Sequence, residues 1–414
     1  MHTTDTPGTP ADFMAGAFAV LGQFAPDPTD LFIGLVFRVS GPCPSVDAVR
    51  ERVASRLHRL PPMTERLVPG EVARWEPVLD FDVDHHVRVL PRQEGVATAR
   101  EVFADSFDPT RPPWCLWISD NGSGTWDVYY LVHHGRQDAG GAVRTVEALL
   151  GDGEPATWRR TGDRRRSWSR GWPGAVSLLP DLLRTRLPAE PAPRWSGGDE
   201  RVLGLGSVPV EDLKRVSRRS GASVNQVHLA AMAEALAGWL PPVPGRQVCL
   251  PVETRRDGEP HDDFANRIGL MRAVLPCGGD VTPAERLRAV VASASRTRVE
   301  RHRRAWRDLA DNAPGRVAGR VLQLITDPSR VGVTVAAVRI PELSALMGGQ
   351  VLGVTAIPWL PPGHTCFASL ISYGDRARLS VLVPEGAPDP AELIRLWVRA
   401  VDALDADRAD VSAS

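Results

Sequence analysis

Trp126-Asp127-Val128-Tyr129-Tyr130-Leu131-Val132-His133-His134-Gly135-Arg136-Gln137-Asp138-Ala139-Gly140-Gly141 is the stretch on which the reading of this chain turns. An apolar run ends in two adjacent histidines, with an aspartate four residues beyond the second. After Gly141, residues Ala142, Val143, Val146, Leu149 and Leu150 recur at helical spacing, so the unit reads strand, loop, helix. A neutral imidazole at the end of a rigid strand can take a proton from a hydroxyl or an amine, and a nearby carboxylate can hold the loop and the ring in place. Plain structural readings stand beside these: Asp138 as the N-cap of the helix, and His133 as a buried ring bonded to a backbone carbonyl.

The rest of the composition narrows the class. A chain of 414 residues is too long for one ordinary core. A net charge of −1 gives no sign of a nucleic-acid partner or of an anionic membrane surface. No apolar run approaches the roughly 18 residues that span a bilayer, and no basic segment followed by an apolar core opens the sequence, so a soluble, cytoplasmic protein is expected. The five cysteines are odd in number, widely spaced and without a C-x-x-C pair, which indicates neither a disulfide framework nor zinc. His85-His86 follows Asp82 and Asp84, but strand alternation would send neighbours to opposite faces, so no metal site is expected there.

Along the chain, residues 46–60 read as an amphipathic helix and 83–90 as a strand, and a first domain is expected over residues 1–150. Residues 151–195, rich in Pro, Gly, Arg and Trp, read as an interdomain connector with a helix near 175–186. Its Arg159, Arg160, Arg164, Arg165, Arg166 and Arg170, interleaved with Trp158, Trp168 and Trp172, could grip a phosphate or an acidic partner, although a solvated linker is the simpler reading. A second domain is expected over 196–414. In it Ser223 and Gln226 fit a capping box for a helix continued by Val227, Ala231, Ala235 and Trp239. Residues 331–338, 367–373 and 378–383 read as strands and 390–404 as a terminal helix. His228 is assigned to helix packing or the surface, while His364, in a loop before a strand, is a candidate to reach a channel.

Taken in order, several segments resemble one family. They are Thr29-Asp30-Leu31-Phe32-Ile33-Gly34, Leu60-Pro61-Pro62-Met63-Thr64-Glu65-Arg66-Leu67-Val68, Phe81-Asp82-Val83-Asp84-His85-His86-Val87-Arg88, Phe107-Asp108-Pro109-Thr110-Arg111-Pro112-Pro113-Trp114, Ala222-Ser223-Val224-Asn225-Gln226-Val227, Ala265-Asn266-Arg267-Ile268-Gly269 and Leu370-Ile371-Ser372-Tyr373-Gly374-Asp375-Arg376. Together with the His-His-x-x-x-Asp string, the chain resembles the bacterial wax ester synthase/acyl-CoA:diacylglycerol acyltransferase family. That family is a branch of the CoA-dependent acyltransferase superfamily, which also contains nonribosomal peptide condensation domains. The resemblance implies an α/β fold of two chloramphenicol-acetyltransferase-like domains, each a mixed sheet flanked by helices, with the active-site channel at their interface.

It also implies a reaction. An acyl thioester, on CoA or on a carrier protein's phosphopantetheine, enters from one side and an alcohol or amine acceptor from the other, with no cofactor and no metal. The superfamily's minimal motif, His-x-x-x-Asp, makes His134 the general base. His133, on the opposite strand face, is its support, and Asp138 faces away to pair with an arginine, for which Arg66 is the candidate. Asn225, Gln226, Asn266, Ala139, Gly140 and His364 are the candidate substrate-binding residues, and Asn225 or backbone amides near Gly140 the candidate oxyanion donors. The chain departs from the family at Ala139, where Gly is usual, at Gln226 for Asp, at Ala336-Ala337 for Ser-Asn, and at Arg136 and Gln137, where apolar residues are common. These departures touch the substrate more than the reaction. The reading is an ester-forming acyltransferase of specialised metabolism, with a free-standing condensation enzyme or an inactive binding relative as alternatives.

Overall fold

The computed structural model describes residues 8–23, 25, 27–70, 72–90, 107–158, 174, 176–178, 193, 195, 200–255, 264–278, 281–313 and 315–406. Most of the connector lies outside them, including the six arginines of its cluster, Trp168, Trp172 and all but residues 176–178 of the helix expected over 175–186; Trp158 lies within them, buried and stacked on Phe264. The described strands are β1 (Thr9–Pro10), β2 (Phe32–Ser40), β3 (Glu65–Val68), β4 (Arg74–Pro77), β5 (Val87–Val89), β6 (Trp114–Asp120), β7 (Thr125–His133), β8 (Arg201–Pro209), β9 (Arg246–Glu253), β10 (Ile268–Leu275), β11 (Val333–Arg339), β12 (Val351–Ile357), β13 (Cys366–Tyr373) and β14 (Arg376–Pro384).

β7 is the middle strand of a five-stranded sheet ordered β12-β2-β7-β6-β5. Both of its faces are covered, which is why its sequence from Val128 to Val132 is continuously apolar instead of alternating. Trp126, Val128, Tyr130 and Val132 enter a core shared with Ala142, Val146 and Leu149 of the helix Ala139–Leu150. Tyr129 and Leu131 point the other way, to Phe32, Val36 and Trp117. The β2–β7 ladder pairs Phe32 with His133 and ends with the His134 N–H donating to the Leu31 carbonyl at 2.8 Å, where the chain peels away into the motif loop.

The second half builds a six-stranded sheet ordered β10-β9-β11-β13-β14-β8, in which β11 runs parallel to both β9 and β13 and the other pairings are antiparallel. The helices Val224–Trp239 and Pro390–Ala406 cover one face, burying Leu236, Trp397 and Val401 against Leu379 and Val381. Side chains of the other face, among them Ala336, Phe367, Ile371 and Leu382, belong to the same apolar core as Phe18 and Tyr130 of the first half. The halves are further stitched by β12, which leaves the second half and pairs antiparallel with β2 before the chain returns as β13.

The helices and strands expected near 224–239, 331–338, 367–373, 378–383 and 390–404 are present within a few residues of those bounds. The helix expected over 46–60 is Val46–Arg56 followed by a 3-10 turn, Leu57–Arg59. The strand expected over 83–90 is corrected. Asp82 caps a single helical turn, Val83–His86, by accepting from the Asp84 N–H, and the strand begins at Val87. His86 is held inside this turn, with Nδ1–H donating to the Trp114 carbonyl at 2.8 Å and the ring stacked on Phe81 and Trp114.

Candidate active site

The two histidines at the end of β7 part in environment at once. His133 is buried between Phe32 and Phe18, and its Nδ1 accepts the Gly135 N–H at 3.1 Å, which places its proton on Nε2. Burial, with smaller contributions from His134 and Arg136, takes its pKa down to about 3. Gly135 is required here, since a Cβ would lie 2.9 Å from the His133 ring and 3.0 Å from Phe18 Cβ.

His134 is partly exposed. Its Nδ1 lies 3.0 Å from the Gln137 carbonyl, an acceptor, so Nδ1 carries the proton and Nε2 the lone pair. Nε2 has no protein partner among the described residues. Phe18 from the helix Phe13–Leu21 and Trp359 from beyond β12 flank the ring, at 4.8 and 5.7 Å between centroids. Burial lowers the pKa of His134, opposed by the Gln137 bond and the charge of Asp138, so the ring is neutral near pH 7. Since Trp359 and Asn266 both come from the second half, His134 sits where the halves meet.

Asp138 accepts four N–H groups. Oδ1 caps the helix through Gly141 N at 2.8 Å and takes Arg255 Nη2 at 3.0 Å, while Oδ2 takes Arg255 Nη1 and Arg267 N, each at 2.8 Å. Burial by itself pushes this carboxyl up, but Arg255 and the two backbone amides outweigh it and hold Asp138 below its usual range. The arginine partner is therefore Arg255, not Arg66. Strand alternation in β3 is the reason: Arg66 turns outward to Glu76 at 3.5 Å, and its neighbour Glu65 turns inward to pair with Arg136 of the motif loop at 3.1 Å. Arg136 also lies 3.3 Å from the centre of the Trp75 ring. Gln137 accepts from Tyr130 Oη at 2.8 Å and donates to Thr145 Oγ1 at 2.6 Å. Both polar departures in the loop are thus fully partnered inside the protein.

Ala139 is the first residue of the helix, and its φ is not in the left-handed region, so Ala in place of Gly introduces no strain there. Gly141 is different. The Phe264 carbonyl packs against it so closely that a Cβ would lie 2.2 Å from that oxygen.

A cavity of about 860 Å³ separates the two halves beside this loop. Asp138, Ala139, Gly140 and Val143 form one wall, Asn225 and Gln226 another, and Leu250, Ile268 and the Val335–Ala336–Ala337 run of β11 the apolar floor. Four candidates therefore share one cavity: Ala139, Gly140, Asn225 and Gln226. Gln226 also completes the capping box, accepting the Ser223 N–H at 2.8 Å, and donates to the Ala294 carbonyl at 3.0 Å. The ring of His134 is not on this wall, and no hydrogen bond joins Asn225 to it among the described residues. Nor is the Gly141 amide open to an oxyanion, being taken by Asp138.

Two further candidates lie elsewhere. His364 is buried away from the cavity, with Nε2–H donating to the Thr326 carbonyl at 2.8 Å, because its loop folds back on the C-terminal end of the helix Gly315–Ile325; burial takes its pKa to about 4. Asn266, 3% exposed, is engaged at both ends of its carboxamide: Nδ2 donates to the His134 carbonyl at 2.5 Å and Oδ1 accepts the Ile268 N–H at 3.1 Å. Arg255 is the residue sequence reasoning missed, since a pairing across 117 positions leaves no local signature.

Comparison with known proteins shows the family to which the chain belongs. Residues 31–166 match the model of the wax ester synthase/diacylglycerol acyltransferase catalytic domain, and residues 264–405 that of the family's C-terminal domain. The chain is 24% identical over 404 aligned residues to a probable diacylglycerol O-acyltransferase of Mycobacterium tuberculosis, covering 85% of this chain and 86% of that one. It superposes on a wax ester synthase/diacylglycerol acyltransferase from Marinobacter aquaeolei VT8 with a TM-score of 0.66 at 17% identity, over 96% of this chain and 98% of the other. It also superposes on the first condensation domain of the calcium-dependent antibiotic synthetase with a TM-score of 0.71 at 16% identity, over 99% of each chain. The chain belongs to the wax ester synthase/diacylglycerol acyltransferase family and is an acyltransferase.

Proposed function

We propose that the protein moves an acyl group from a thioester, on CoA or on a carrier protein, to a hydroxyl acceptor, with His134 as the general base. The observation that carries this reading is the state of the His134 ring. Nδ1–H is tied to the Gln137 carbonyl, Nε2 has no partner among the described residues, and the side chain is partly exposed where the halves meet. Nε2 takes the acceptor's proton as its oxygen attacks the thioester carbon, and the tetrahedral oxyanion then collapses by expelling thiolate. No acyl-enzyme is needed. General-base action of this kind contributes on the order of 10²–10⁴-fold, and alignment of the two substrates contributes further.

Asp138 acts behind the base: it fixes the loop by capping the helix and binding Arg255, and its charge favours the imidazolium that forms. The cavity floor of Leu250, Ile268, Val335 and the two alanines suits an apolar portion of a substrate. Ala336, Ala337 and Gln226, at positions where the family resemblance implies Ser-Asn and Asp, fit an acceptor of specialised metabolism at least as readily as a fatty alcohol or diacylglycerol.

Thiol release from medium- and long-chain acyl-CoA, with a panel of alcohols and with ester formation followed by mass spectrometry, tests the proposal. Acceptor-dependent thiol release with matching ester is expected. Release only from acyl groups on a carrier protein would select the condensation reading, and the absence of acceptor-dependent release from either donor would contradict both.

A further inference from the structure

We propose that Asn266 is a positioning residue for His134, fixing from the second half of the chain the backbone from which the base projects. The inference rests on His134 being the base. Asn266 grips the motif loop at two carbonyls, two residues apart. Its backbone N–H donates to the Arg136 carbonyl at 3.2 Å, and its Nδ2 donates to the His134 carbonyl at 2.5 Å. No other donor among the described residues reaches the His134 carbonyl. The Ile268 N–H holds Oδ1, so the carboxamide cannot turn over without losing a bond at each end. Arg267, the next residue, donates its N–H to Asp138, and the Phe264 carbonyl seats on Gly141. A five-residue segment of the second half therefore docks along the whole loop, with Asn266 opposite the base.

This placement separates a positioning role from a substrate contact. Asn266 is buried, unlike the partly exposed His134, and its side chain is engaged with protein at both ends. Its Nδ2 is also 3.3 Å from His134 Nδ1, close enough for a change of charge to be felt by the ring. Of the other charged groups around His134, Asp138 is ion-paired with Arg255 and still favours the imidazolium, Arg136 is paired with Glu65, and His133 is uncharged. Phe18 and Trp359 bring no charge from the elements packed on the ring.

The test is the pH dependence of kcat/KM for Asn266→Asp and Asn266→Ala beside wild type and His134→Ala, with folding checked by thermal melts. A carboxylate at 266 next to Nδ1–H favours the imidazolium, so the acid limb of the Asn266→Asp profile moves to higher pH by about one unit. Asn266→Ala lowers kcat about tenfold or more while KM for the thioester stays within about twofold. A wild-type profile in Asn266→Asp would overturn the inference, as would a loss confined to KM in either variant. If Asn266→Ala does not fold, the near-isosteric Asn266→Asp decides alone. An active His134→Ala removes the general-base reading itself, whereas an inactive His134→Ala with an unmoved Asn266→Asp profile removes only the role of Asn266.

Discussion

His133 and His134 are the same residue one bond apart, and their neighbours make them different chemicals. One ring is shut between phenylalanines with its Nδ1 occupied; the other is tied at Nδ1 and open at Nε2. Asp138 accepts four N–H groups in a buried position. Asp138→Ala leaves Arg255 with the exposed Glu253 and the Ala265 carbonyl, and opens the first turn of the helix. The expected loss is about 3–5 kcal/mol of stability, read from urea midpoints, while Asp138→Asn, which keeps an oxygen for the cap, loses less. An unchanged midpoint in Asp138→Ala would contradict the structural role. The base, its spacing to Asp138 and the cap of the helix were legible in the sequence because they are local. The choice of Arg66 was not, because it needed the face of a strand and a partner 117 residues away.

At the scale of elements, the helix Ala139–Leu150 is held at its first turn by the second half, and Gly141 is where the two backbones touch. Gly141→Ala suits helix propensity in isolation. In the protein its Cβ would have to displace the Phe264 carbonyl, so the variant is expected to lose roughly 1–3 kcal/mol and a larger share of its turnover, because the Phe264–Ile268 segment moves with it. Equal or greater stability than wild type in a thermal melt would show that the contact is looser than described. Long elements could be read from the sequence, Val224–Trp239 by its capping box and Pro390–Ala406 by its apolar period. The turn at Val83–His86 could not, since four residues carry no period and the Asp82 cap outweighed the β-like composition around it. His364 shows the same limit: a loop histidine before a strand has no sequence mark that separates a channel wall from a bond to the Thr326 carbonyl.

Across the whole molecule, the apolar core runs unbroken between the halves and β12 crosses to complete the first sheet. No helix among the described residues is long and apolar enough to cross a membrane. Buried histidines are distributed through both halves. Burial holds His133 and His228 down to about 3 and His86 and His364 down to about 4. Each is harder to protonate folded than unfolded, so the unfolded chain binds more protons below about pH 6.5, and stability present above that pH is lost as pH falls toward about 4. Each ring contributes up to about 1.4 kcal/mol per pH unit in that window. Melting temperature is expected to be flat from pH 8 to 7 and to fall steeply from pH 6 to 5. A flat profile down to pH 5 would contradict the buried, neutral state of these rings.

The role of His134 is tested most directly by thiol release from the acyl thioester that wild type accepts, measured in parallel for His134→Ala and His133→Ala with melts on both. A loss of at least about 10²-fold is expected in His134→Ala with little change in melting temperature, and in His133→Ala mainly a lower melting temperature. Full activity in His134→Ala, with or without loss in His133→Ala, would contradict that role.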